Sequence, residues 1–262
     1  MKIAISGKGG VGKTTLSALL AQVYASAGRD VLAVDADPAP CLAGALGFPE
    51  SLRSHLHPIT EMPELIEERT GAKPGTVGGF FTLNPRVDDL PDRFSVTHRG
   101  VRLLEMGAVE TGGSGCICPE SAMLKTLLTH LLFRKDDVLI LDMYAGVEHL
   151  GRATADFVDA MVIVVEPTRR SLGTAAQIRK LAMDIGLTRL WLVGNKVRGD
   201  DEVDFLRAET PNLPLLGVLP ADLAVQEADR LGIAVYDHVP ALRQAAGQIA
   251  QTLASQSVGS GH

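Results

Sequence analysis

The 262-residue chain is poor in cysteine, in excess positive charge and in long apolar runs, and each shortage excludes something. Three cysteines are too few for a disulfide framework, so reduced thiols are expected. Lysine and arginine number 25 against 31 acids, a net charge of -6. That balance argues against nonspecific nucleic-acid binding. No apolar run approaches the roughly 18 residues that span a bilayer, and the chain enters a strand-like segment at Lys2 with no basic-then-apolar leader. The expected location is cytoplasmic, with no membrane partner. What remains is a composition 46% hydrophobic and 21% charged, suited to one large α/β domain over residues 1–254. A polar tail, 255–262, closes the chain. The preceding helix, predicted over 240–254, carries one arginine, Arg243, and is a poor membrane anchor.

Gly7-Lys8-Gly9-Gly10-Val11-Gly12-Lys13-Thr14-Thr15 fits the phosphate-binding pattern G-x-x-x-x-G-K-[ST]. Glycines let backbone N–H groups curl around phosphate oxygens, and the following helix aims its positive end at the same charge. Gly9, Gly10, Val11, Gly12, Lys13, Thr14 and Thr15 are the expected phosphate cradle. Lys13 is placed to neutralise the β and γ phosphates, and the Thr14 hydroxyl to ligate Mg²⁺. An apolar strand over 2–6 and a helix over 14–27 ended by Gly28 supply the setting this motif requires.

Two further apolar runs end on acids. Val31 to Val34 leads to Asp35, with Asp37-Pro38 just beyond, and Val138 to Leu141 leads to Asp142. Carboxylates at the C-terminal ends of parallel strands face the crevice where α/β sheets bind ligands. Asp35 and Asp142 are therefore candidates to support Mg²⁺, and Asp37 to orient an attacking water; the alternative for Asp35 or Asp37 is a solvated turn closed by Pro38. Strands near 101–106, 161–165, 190–193 and 215–218 alternate with helices from about 171 and 201. That rhythm predicts a doubly wound, mostly parallel sheet flanked by helices, the P-loop NTPase arrangement. Between residues 41 and 100 the pattern is weaker, with a helix expected over 61–70 and a short strand at Phe80 to Leu83. Cys41 reads as a small buried hydrophobe.

Cys116-Ile117-Cys118 follows the glycine-rich turn Gly112 to Gly115, making a candidate metal loop over 112–119. Alternate residues of an extended segment share a face, so both thiols can meet one metal. Pro119 suits the first turn of a helix to about Phe133, whose N-terminus is expected to lower the thiol pKa. Two sulfurs leave a four-coordinate site incomplete, and a two-fold dimer supplies four. A redox-active pair and two buried structural cysteines are the alternatives. Asn195-Lys196-Val197-Arg198 resembles the guanine-reading pattern N-K-x-D, but Arg198 offers donors only, so ATP is favoured over GTP.

Lys8, inside the first glycine of the loop, resembles the second lysine of the MinD/ParA-type deviant Walker A ATPases. The resemblance implies that Lys8 reaches a partner subunit's phosphates, that Asp142 to Gly146 is a mobile switch, and that Asn195, Lys196 and Pro220 adjoin adenine. Within that class the chain is similar to the CooC-type nickel-insertion ATPases of carbon monoxide dehydrogenase maturation. The likeness runs through Gly7 to Thr15, Asp35 to Pro38, Asn84 to Asp88, Gly115 to Cys118, Gly146 to His149 and Asn195-Lys196. It implies a homodimer that hydrolyses ATP, with Lys8, Lys13 and Asp37 serving catalysis. It also implies Ni²⁺ or Zn²⁺ on Cys116 and Cys118, and apo carbon monoxide dehydrogenase or a related nickel enzyme as partner. A nucleotide-driven redox or regulatory switch using the same cysteines is the alternative function. Iron-protein relatives need a switch II cysteine where this chain has Tyr144 and Ala145, and scaffold ATPases need a C-x-x-C after Cys118, where no cysteine follows.

Overall fold

The computed structural model describes residues 1–76, 80–108, 118–134, 137–144 and 150–258, with only the main chain described at 152, 153, 257 and 258. Within them lie strands β1 (Lys2–Gly7), β2 (Val31–Ala36), β3 (Val96–His98), β4 (Val101–Glu105), β5 (Val138–Met143), β6 (Ala160–Val165), β7 (Leu190–Val197) and β8 (Leu215–Pro220). Their order is β3-β4-β2-β5-β1-β6-β7-β8, and only the β3–β4 pair is antiparallel. The early helices are α1 (Lys13–Ser26), α2 (Leu42–Ala45), α3 (Glu50–Arg53), α4 (Pro63–Thr70) and α5 (Leu90–Phe94). The later ones are α6 (Pro119–Phe133), α7 (Arg152–Ala155), α8 (Arg169–Asp184), α9 (Asp200–Glu209), α10 (Ala224–Leu231), α11 (Val235–His238) and α12 (Pro240–Val258).

Alternation along the central strands builds two cores. Ile3, Ile5, Ala33, Ile140 and Val162 meet α1 and α12 residues such as Leu16, Leu20 and Ile249. Ala4, Leu32, Leu139, Leu141 and Ile163 meet Leu127 and Leu131 of α6 and Ile178 of α8. Each fully buried aliphatic side chain contributes about 1.5–3 kcal/mol. A half-exposed pair such as Arg29–Asp137, at 3.4 Å, contributes at most about 1 kcal/mol. The sheet is therefore held by its two apolar faces, which leaves the C-terminal ends of its strands free for chemistry. From β1 the chain crosses to β2 on one side, whereas β6 lies on the other. The loop after β1 thus sits at the switch point where open α/β sheets bind ligands.

The predicted parallel sheet is present, with local differences. Phe80 to Leu83 forms no strand: Phe80 is fully exposed, and Thr82 N–H donates to Thr70 O instead of to a ladder. The place beside β4 is taken by β3. The helix expected from Glu61 begins at Pro63, after a separate 3₁₀ turn over Ile59–Glu61. Pro63 has no N–H to continue a ladder and suits the first helical turn. The last helix runs to Val258, so the start of the expected tail at 255 is helical.

Candidate nucleotide site

Two glycines at the end of β1 are required by the space around them. A Cβ on Gly7 would lie 2.4 Å from the Val164 carbonyl oxygen of β6, and one on Gly12 would lie 2.0 Å from Asn195 Nδ2. Gly10 and Gly12 also hold φ of 79° and 97°, a left-handed conformation that costs other residues more. α1 starts at Lys13, whose side chain is buried, while Lys8, Gly9 and Gly10 are exposed. The Lys8 carbonyl accepts from Val11 N–H at 3.4 Å, while its side chain has no hydrogen bond or ion pair among the described residues.

Strand β7 braces this loop from beneath. It runs to Val197, longer than the 190–193 predicted, and carries Asn195 and Lys196 to the site within the strand. Asn195 Nδ2 donates to Val11 O at 2.7 Å, and its Oδ1 accepts from Lys196 N–H at 2.9 Å. Lys196 sits at φ 59° and donates through Nζ to Gly10 O at 2.9 Å and to the Glu166 carboxylate. Pro220 pairs with Val197 at the same end of the sheet. Asn195 thus spends its amide on the loop, and Glu166, absent from the sequence reading, helps to aim Lys196. Its signal was a lone acid ending the apolar run of β6. Replacing Lys196 with alanine removes the hold on Gly10, and nucleotide affinity is expected to fall about tenfold. Titration of a fluorescent ADP analogue measures this; unchanged affinity would remove the brace from the binding machinery.

The acids form one row across three strands. Glu105 of β4, Asp35 of β2 and Asp142 of β5 share a register. Asp35 is fully buried; its Oδ1 accepts from Asp37 N–H at 3.1 Å, and its Oδ2 from Cys41 and Leu42 N–H at 2.9 Å each. Burial raises its pKa despite these bonds. The structure therefore places Asp35 as the pin of the 37–42 turn. Asp142 differs: it is buried to 1% exposure, and the Thr14 and Ser17 hydroxyls stand near it without making a hydrogen bond of ordinary geometry to either oxygen. Burial, then the charge of Asp35, push its pKa to about 7, against the opposing influence of Thr14, Lys13 and Ser17. Glu105 is pushed to about 7 by partial burial and by Asp35. Asp37 is half-buried, with Oδ1 accepting from Ala39 N–H at 3.0 Å.

The thiols depart from expectation. Cys118 is buried at the N-terminal boundary of α6, with Sγ 3.2 Å from Ser121 Oγ. Its pKa is raised, chiefly by burial, so desolvation outweighs the expected lowering by the helix. Cys41 is exposed rather than buried, and its Sγ lies 4.0 Å from Thr14 Oγ1. Cys116, with the rest of residues 109–117, and residues 145–149 of the expected switch lie outside the described residues. Among the described residues no group of three His, Cys, Asp or Glu side chains is gathered for a metal.

The site fits a magnesium nucleotide. A loop that admits no Cβ at Gly7 and Gly12 offers its amides to phosphate, Lys13 offers a buried cation, and the unpartnered Asp142 carboxylate adjoins the Thr14 hydroxyl. These features define a P-loop nucleotide-binding protein with a mostly parallel sheet. The chain belongs to the CobQ/CobB/MinD/ParA nucleotide-binding family, whose pattern matches residues 2–235. It is 48% identical over 246 residues to the carbon monoxide dehydrogenase accessory protein CooC of Rhodospirillum rubrum, covering 94% of this chain and 93% of that one. An ATP-binding protein of Methanocaldococcus jannaschii is 47% identical over 235 residues, covering 88% and 90%. Among solved structures, MinD of Aquifex aeolicus in its MinC complex superposes with a TM-score of 0.68 at 20% identity, over 97% and 96% of the chains. MinD of Pyrococcus horikoshii with Mg-ADP gives 0.64 at 23%, over 98% of each. No helix of the described residues is long and apolar enough to cross a membrane.

Proposed function

We propose that this chain is an ATP-hydrolysing metallochaperone that inserts nickel into carbon monoxide dehydrogenase. The observation that carries the reading is the 48% identity to CooC across 94% of the chain. The working unit is a cytoplasmic homodimer, with neither nucleic acid nor membrane as a partner. ATP lies on the loop from Gly9 to Thr15, where Lys13 neutralises the β and γ phosphates. Thr14 and Asp142 hold Mg²⁺ or its water, with Asp35 fixing the adjoining turn. When bound, Mg²⁺ supplies charge neutralisation at the phosphates. Lys8, whose exposed side chain is unpartnered among the described residues, reaches the partner's nucleotide, and Asp37 orients the attacking water. Asn195, Lys196 and Pro220 border the base at the C-terminal ends of β7 and β8, with Asn195 and Lys196 also bracing the loop. Nickel, or zinc in the same place, is the cargo of Cys116 and Cys118, two thiolates from each subunit.

The raised pKa of Cys118 gives the cargo site a sign. A thiol held neutral by burial binds metal only on losing its proton, so metal uptake is expected to strengthen as pH rises. Metal content and oligomeric state, measured together with and without ADP or ATP, test the reading. One metal per dimer is expected, lost in Cys116→Ser and Cys118→Ser. A monomer binding one metal through both cysteines would sink the interfacial site.

A further inference from the structure

We propose that Cys41 is a metal ligand at the nucleotide's cation position, so that this position accepts a thiophilic divalent ion as well as Mg²⁺. The inference rests on the reading that Thr14 and Asp142 hold the nucleotide's cation, and adds to them a sulfur donor. Three observations converge on it. The Cys41 backbone is fixed by its N–H bond to Asp35 Oδ2 at 2.9 Å, and its side chain projects to within 4.0 Å of Thr14 Oγ1. Asp142, at 1% exposure with neither oxygen partnered, lies beside Thr14 and opposite Asp35 of the neighbouring strand, the carboxylate that holds the Cys41 N–H. Cys41 also lines an open cavity of about 380 Å³ with Glu50, Arg53, Glu105 and Asp229, three acids and one base, which leaves the thiol open to a cation from solvent.

The distances suit a shared ion. An oxygen and a sulfur on one cation, at roughly 2.1 and 2.3 Å from it, stand roughly 3.1–3.6 Å apart. A modest side-chain rotation closes the gap from 4.0 Å. Mg²⁺ prefers oxygen donors and retains its waters, whereas cobalt, nickel, zinc and cadmium accept thiolate. As the sulfur–metal bond forms, the Cys41 S–H proton passes to water, and no electron changes hands. No group of three His, Cys, Asp or Glu side chains is gathered among the described residues. In the proposed site phosphate oxygens and water complete the coordination, which makes the soft-metal site dependent on nucleotide. An ATPase built this way can register thiophilic metal at its nucleotide.

The test uses the full chain with Cys116→Ser and Cys118→Ser, which leaves Cys41 as its single thiol. Co²⁺ is the probe, followed by its sulfur-to-metal charge-transfer absorption, with nucleotide binding measured separately by equilibrium dialysis. The band is expected with ADP, absent without it, and lost on adding Cys41→Ser. In that variant the preference of the ADP complex for Cd²⁺ over Mg²⁺ is expected to fall about tenfold or more. Co²⁺ and ADP bound together without a band in the protein that retains Cys41 would overturn the assignment while leaving the nucleotide site intact. Failure of both Mg-ADP and Co-ADP to bind would remove the cation site itself, and the assignment with it.

Discussion

Asp142→Asn is expected to stabilise the nucleotide-free protein while abolishing its Mg²⁺-dependent activity. The carboxylate is buried without a hydrogen-bond partner, beside Asp35 in the neighbouring strand. Its pKa in the folded chain stands at about 7, against a starting value of 3.8. Between those values the folded protein binds more protons than the unfolded chain, so stability falls as pH rises through that window. The penalty is absent below the lower value and complete above the upper one, where three pKa units correspond to at most about 4 kcal/mol. An asparagine carries no charge and escapes it. Near pH 8 the melting temperature of the variant is expected to rise by several degrees, and near pH 4 to change little. Hydrolysis of Mg-ATP is expected to drop at least about a hundredfold, because in the proposed function the replaced group is the acceptor for the cation's shell. Melting curves at the two pH values and a phosphate-release assay measure both effects. A variant less stable than the parent near pH 8 would show that Asp142 is compensated in the folded chain.

The strands and the phosphate loop were legible because their signals are local. A run such as Val138 to Leu141 is apolar throughout since the strand is covered on both faces, and glycine spacing reports directly on backbone approach. The acids at strand ends were legible for the same reason. Their division of labour was not. Asp35 and Asp142 look alike in sequence, yet one binds three amides of its own turn and the other none. That difference comes from the path of residues 37–42, a tertiary fact. Asn195 suggested a base contact from its neighbours in the chain, whereas the nearness of Val11, 184 positions away, directs its amide to the loop. Cys41 looked apolar by type, but a turn pinned from behind holds it at the surface. For Cys118 the helix position suggested a low thiol pKa, and only the packing around it reveals that burial dominates. Glu166 gave no cue beyond its place at a strand end, since its partner Lys196 lies in another strand.

Asp37→Asn is expected to separate binding from hydrolysis. Asp37 stands in the turn that Asp35 fixes, and its Oδ1 accepts from Ala39 N–H at 3.0 Å. An asparagine keeps that acceptor through its amide oxygen, so the turn keeps its shape and affinity for Mg-ATP is expected to stay within about threefold. What is lost is the negative charge and the ability to take a proton from water. Removing a general base costs about 10²–10⁴ in rate, and single-turnover hydrolysis is expected to slow by that amount. Asp35→Asn makes the contrast, because its Nδ2 would bring donors toward backbone N–H groups that now donate to the carboxylate. The turn then loosens, and affinity and hydrolysis fall together. Nucleotide titration beside quenched-flow hydrolysis distinguishes the two variants. If Asp37→Asn turns over within about threefold of the parent, water activation belongs to another group. The residues then to test are 145–149, which follow Tyr144 in the sequence.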